Sequence, residues 1–257
     1  MQSAWWKVPP QVHYCHGSDW PWLLKYSRLS CDGDTMSRFI QKSGTKGSLK
    51  WIQRAVNDRP DVLDCEILKR LPHAEKIEWF SPLRNDDFAE YRDGAFLKCI
   101  GHSGLIPKLT AFWPARGPQW DALGKAGEHD ILLVEAKAHV RELCSPATQA
   151  SPKPRRQIER AMKSTVEACH AQPRSAWTQL FYQLGNRLAH LKFLRDANVP
   201  AWLVLVNFVG DKEMEGPLTK AEWEAAYSVV DHVMGLDKHN RLSKYVIHTY
   251  PSVEALM

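Results

Sequence analysis

The segment HDILLVEAKAHV, residues 129–140, constrains this chain more than any other. It reads as a strand, and strand side chains alternate faces. Ile131, Leu133, Glu135 and Lys137 therefore share one face, while Leu132, Val134 and Ala136 share the other. An otherwise apolar strand thus ends with an acid and a base side by side. Burying either charge alone is costly, so the pair must meet a partner, a metal or solvent. Whatever the fold, it has to supply one of these at the end of this strand.

The surrounding pattern is α/β. AWLVLVNFVG, from Ala201, is continuously apolar and reads as a second, fully buried strand. Leu49, Ile52 and Val56, then Val62, Leu63, Ile67, Leu68 and Leu71, fall at helical spacing, with Pro60 suited to a first turn. KIEWFSPL is a short apolar stretch stopped by Pro82. Asn85 reads as the N-cap of a helix DDFAEYRDGAFLKCIG, stopped by Gly101. Three strands are expected next, in KLTAFWPA, PQWDALG and HDILLVEAKAHV, with a hairpin connection at Gly124–Gly127. Helices near 155–171 and 176–196, the strand from Ala201, a helix near 219–233 and a strand KYVIHTY complete the order. Residues 1–45, with tryptophans 5, 6, 20 and 22, show neither period and are expected to be irregular. The expected division is a helical or irregular section over 1–80 and a second domain over 81–257.

Asp121 lies in the strand expected before this one, where a hairpin would bring its carboxylate beside Glu135. Two carboxylates and a backbone carbonyl suit a hard cation such as Mg²⁺. A lysine beside such a cation could stabilise hydroxide or the charge growing on a phosphate. The bland alternative is a surface Glu–Lys pair at a strand terminus, worth little energetically.

Asp121, followed fourteen residues later by Glu135-Ala136-Lys137, resembles the motif of the PD-(D/E)xK nuclease superfamily. The order helix, three strands, helices, strand is similar to that superfamily's restriction-endonuclease-like core. Trp120 stands where the motif has proline. The wider string around these residues also resembles uncharacterised bacterial proteins of the superfamily. The resemblance implies Asp121, Glu135 and the Ala136 carbonyl as ligands of Mg²⁺ or Mn²⁺, and Lys137 as the aid to a nucleophilic water. It implies 5′-phosphate and 3′-hydroxyl products. It further suggests Glu90 as a site-facing acid on the first core helix. A glutamine-bearing helix after the catalytic strand would contribute Gln183 and Arg187, the latter towards nucleic acid. Each of these could instead be an ordinary polar residue at a core margin or on a solvated face.

Elsewhere, SPKPRRQIERAMK holds five basic residues against the single acid Glu159. Arg156, Arg160 and Lys163 share a helical face, a phosphate track or simply solvated surface. His13, Cys15 and His16 could join Cys31 or Asp32 on a metal, although no second pair has zinc-finger spacing. The six cysteines form no CxxC pair, no secretory signal is visible, and no apolar run is long enough to span a membrane. A cytoplasmic setting is expected. The net charge of +5 permits a nucleic-acid partner without demonstrating one. The expectation is a Mg²⁺-dependent DNA endonuclease. Its rival is a catalytically silent nucleic-acid-binding or protein-interaction module on the same fold.

Overall fold

In a computed structural model, residues 37–237 and 239–257 are described. The candidate metal residues near His13 and the four tryptophans before residue 23 lie outside them. The architecture is mixed α/β, with a mixed five-stranded sheet and seven α-helices among the described residues.

The sheet order is β2(Ile77–Ser81)–β4(Ala122–Ala126)–β5(Asp130–Lys137)–β6(Ala201–Asn207)–β7(Val246–Thr249). β2, β4 and β5 run antiparallel, whereas β5, β6 and β7 are parallel. β5 is thus the central strand, and its two faces enter different apolar layers. Leu132, Val134 and Ala136 pack with Trp51, Ile52, Ala55 and Val56 of α1(Gly47–Asn57) and Leu63 and Ile67 of α2(Pro60–Leu68). Ile131 and Leu133 face the larger layer. That layer draws on α3(Asp93–Cys99), α4(Ile106–Phe112), α5(Pro152–Ala168), α6(Tyr182–Asp196) and α7(Lys220–Met234). The alternation expected for β5 holds over its whole length.

All described residues belong to one compact unit. The expected boundary between residues 80 and 81 therefore falls inside it, within β2. No described helix is long and apolar enough to cross a membrane.

Three local expectations are corrected. KLTAFWPA is not a strand: Ile106, Leu109 and Phe112 recur every three residues on α4, and Pro107 occupies its first turn. The first antiparallel strand is instead β2, in KIEWFS. The helix expected from Asn85 does not form there, because Asp87 and Phe88 adopt left-handed backbone (φ 52° and 50°). Asp86 serves as an acceptor for Arg38 and Tyr91 rather than as a first-turn acid. Glu90–Tyr91 then form β3, paired antiparallel with β1(Arg38–Phe39), and only α3 remains helical. Finally, α6 begins at Tyr182, not near 176. Phe181 has φ 62°, and the Ser145 hydroxyl accepts from the Gln183 N–H at 2.8 Å, satisfying one of the open donors at this new start.

Other boundaries follow local chemistry. α7 opens at Thr219, whose hydroxyl accepts from Glu222 N–H. It closes at Gly235 (φ 67°), where a Cβ would sit 2.1 Å from the Gln172 carbonyl oxygen, so glycine is required twice over. Gly124 is not in a turn. It lies within β4 beneath Trp79, and the chain reverses at Gly127 and after.

Candidate functional site

β5 delivers Glu135 and Lys137 to the same face, 3% and 7% exposed. The two are ion-paired through Glu135 Oε1. The surface-pair alternative is therefore displaced: this pair is buried, where losing a single partner is costly. The partner that makes burial tolerable comes from α6. Arg187 Nε and Nη2 reach Glu135 Oε2 at 2.6 and 2.5 Å. Burial works against the Glu135 charge, but Arg187 and then Lys137 hold its carboxyl below the usual carboxylate range. Lys137 is likewise opposed by burial, yet Glu135, Glu142 and Asp121 keep it protonated, with its pKa raised.

Asp121 stands one residue before β4, beyond the last β4–β5 pairing of Ala122 with Val134. With β4 absent at that level, the Asp121 carboxylate takes its place on β5. Oδ2 accepts from the Ala136 N–H at 2.8 Å. N–H and C=O of one strand residue point to the same edge, so the Ala136 carbonyl also faces the Asp121 side. Burial, then the charges of Glu135 and Glu90, push the Asp121 carboxyl up to about 8. Asp121 is thus pushed up and Glu135 down although they are neighbours.

Glu90 reaches this region by a route other than the expected helix. Tyr91 bridges to Trp120, so β3 lies beside the segment leading into β4. Glu90 is buried there, and its Oε2 accepts from Gln41 Nε2 at 2.8 Å and from Gln119 Nε2.

Arg187 was expected to reach nucleic acid. It is 3% exposed and committed inside the protein, so that expectation is corrected. Besides Glu135, it donates to Asn186 Oδ1 at 2.9 Å and to the Gln119 carbonyl at 2.8 Å, and its guanidinium lies over the Trp120 ring at 4.8 Å. Gln183, on the first turn of α6, lines a cleft with Glu135, Lys137, Leu205 and Tyr227. The cleft holds about 10 Å³, room for roughly one water. Tyr227 donates its hydroxyl proton to Asn207 Oδ1 at 2.9 Å.

Arg156, Arg160 and Lys163 are exposed on α5, opposite its buried residues Ile158, Ala161, Met162 and Thr165. Of these three, Arg160 also lines a groove of about 250 Å³ between α4, α5 and α6, which shares no residue with the Glu135 cleft.

The residues partly fit a divalent cation. Three neighbouring carboxyl groups (Asp121, Glu135 and Glu90) crowd negative charge, which a cation relieves, and the Ala136 carbonyl adds an oxygen. Both Glu135 oxygens, however, are already engaged, and no group of three or more His, Cys, Asp or Glu among the described residues is arranged to hold a metal. A cation could share Glu135 only if one of its partners gives way.

Sequence reasoning missed Gln41 and Gln119, which hold Glu90, and the clamp role of Arg187. Gln119 had a signal, since strand alternation two residues before Asp121 places it on the same face. Gln41 had none, because its contact depends on the β1–β3 pairing. No family model matches the chain, and neither the curated proteins nor the solved structures contain a match to it.

Proposed function

We propose that the chain is a Mg²⁺- or Mn²⁺-dependent endonuclease that hydrolyses phosphodiester bonds in DNA to 5′-phosphate and 3′-hydroxyl ends, on a restriction-endonuclease-like core. The observation that carries this reading is the Ala136 N–H bond to Asp121, which brings a second carboxylate to the backbone between Glu135 and Lys137. The strand order lends support: an antiparallel run of β2, β4 and β5, then two helices, then β6 returning parallel beside β5.

Asp121, Glu135 and the Ala136 carbonyl would hold the cation, which supplies Lewis-acid activation of water when bound. Lys137 would contribute a positive charge close to the reacting phosphate, where charge grows in the transition state. Being protonated, it is no general base. Arg187 keeps Glu135 ionised and oriented. Gln183, which lines the cleft, would orient water or a phosphate oxygen.

A second reading is the catalytically silent nucleic-acid-binding or protein-interaction module. It is favoured by one observation, the full engagement of both Glu135 oxygens. Purified protein incubated with plasmid, linear and single-stranded DNA, with and without Mg²⁺ or Mn²⁺, separates the two. Cation-dependent cleavage that disappears in Asp121→Asn is the expected result. No cleavage, together with no cation affinity dependent on Asp121 and Glu135, leaves the silent module.

A further inference from the structure

The two oxygens of Glu135 have partners of very different kinds. On Oε2 sits Arg187, whose guanidinium is fixed from every side: Glu135 twice, Asn186 Oδ1, the Gln119 carbonyl, and the Trp120 ring beneath it. A planar fork with its donors so satisfied has no second low-energy position. On Oε1 sits the Lys137 ammonium, a point charge at the end of a four-carbon stem. It shares its cleft with Gln183 and Tyr227. Oε1 is thus held through one ion pair, whereas Oε2 is held by a guanidinium with several further partners.

We propose that Lys137 is an internal stand-in for a divalent cation, displaced from Glu135 Oε1 when the cation enters, and that Arg187 is the positioning residue that holds Oε2 throughout. This rests on the cation-dependent reading above and adds to it a built-in competition for one carboxylate oxygen. Arg187 carries a second part of the task. Its Nη2 binds the Gln119 carbonyl, and Gln119 begins the Gln119-Trp120-Asp121 segment, so one guanidinium ties Glu135 to the strand entry that presents Asp121. The Gln119 side chain extends the same tie to Glu90.

The two roles predict opposite responses in the same measurement. Lys137→Met removes the competitor, and with it a positive charge, while keeping the unbranched stem to one atom short of the ammonium. Mn²⁺ affinity should then rise, by roughly tenfold. Arg187→Lys keeps the charge but loses the fork, so Glu135 and the Asp121 segment are no longer held in register. Mn²⁺ affinity should fall about 10- to 100-fold, the usual effect of losing a residue that orients a ligand. Isothermal titration with Mn²⁺ alone, on the full chain without DNA, reads both, and circular dichroism reports folding. Should Arg187→Lys fail to fold, Asn186→Ala removes only the Nη1 support and is expected to lower affinity by a smaller factor. A Lys137→Met affinity equal to or weaker than wild type overturns the stand-in role. An Arg187→Lys or Asn186→Ala protein that binds Mn²⁺ as wild type overturns the positioning role. Wild-type protein that binds no Mn²⁺ removes the cation-dependent reading itself, an outcome visible in the first titration before either variant is compared.

Discussion

Glu135 shows how a single carboxylate can be buried almost completely at a strand end. Two cations, one from its own strand and one from α6, compensate the desolvation. Removing Arg187 leaves the acid with one partner. Arg187→Met should lower stability by about 3–5 kcal/mol, and adding Glu135→Gln should restore a large part of it. Urea denaturation of the two single variants and the double variant measures that coupling; simple additivity would count against the clamp. Lys137 is tested by rate instead. At saturating Mn²⁺, single-turnover cleavage by Lys137→Ala should drop by roughly two orders of magnitude or more. A rate within a few-fold of wild type would remove its electrostatic role. The pairing of Glu135 with Lys137 was legible in the sequence because strand alternation is local. The approach of Arg187, 52 residues away, was not, since no periodicity reports which helix face meets which strand end.

Elements were read well where one period dominated. α1, α2, α5, α7 and the two central strands all lie close to where apolar spacing puts them. Failures cluster where backbone conformation overrules composition. The acidic stretch after Asn85 carries every sign of a helix start, yet two consecutive left-handed residues turn the chain into β3. Gly124 was misread as part of a turn because its reason lies on another strand. A Cβ there would stand 2.9 Å from Trp79 Cε3 and 3.1 Å from the Glu78 carbonyl oxygen. Gly124→Ala should therefore strain the β2–β4 edge and cost about 1–3 kcal/mol, read from the thermal midpoint. The α2–β2 contact has its own signature in pH. Asp64 accepts from Trp79 Nε1 at 2.9 Å, and burial pushes its carboxyl up to about 6. A raised folded pKa favours the protonated form, so its contribution is present in full below about 3.8 and is lost as pH rises through 6. Asp64→Asn should consequently stabilise at pH 7 by about 1 kcal/mol, allowing for partial exposure, with the gain fading by pH 4. Parallel urea titrations at the two pH values check the sign.

Across the whole molecule, the proposed reading needs a surface that brings DNA to the Glu135 cleft, and the exposed basic face of α5 is the candidate. Replacing Arg156, Arg160 and Lys163 together by alanine should weaken binding to every sequence and flatten its dependence on salt, by about 0.9 in the log–log slope for each phosphate that is no longer neutralised. An unchanged slope in a fluorescence titration would return α5 to ordinary solvated surface. The sheet itself imposes a different kind of rule. β5 lies between two apolar layers, and the layer containing α6 supplies Arg187 to Glu135. Inserting a single residue among Ile131–Val134 would rotate everything after it by one position. Glu135 and Lys137 would then turn into the layer of Ile52, Leu63 and Ile67, away from Arg187, while Ala136 would face Arg187 instead. The chain is thus indifferent to many exchanges of one aliphatic residue for another along this strand, but intolerant of any change in its reading frame of faces.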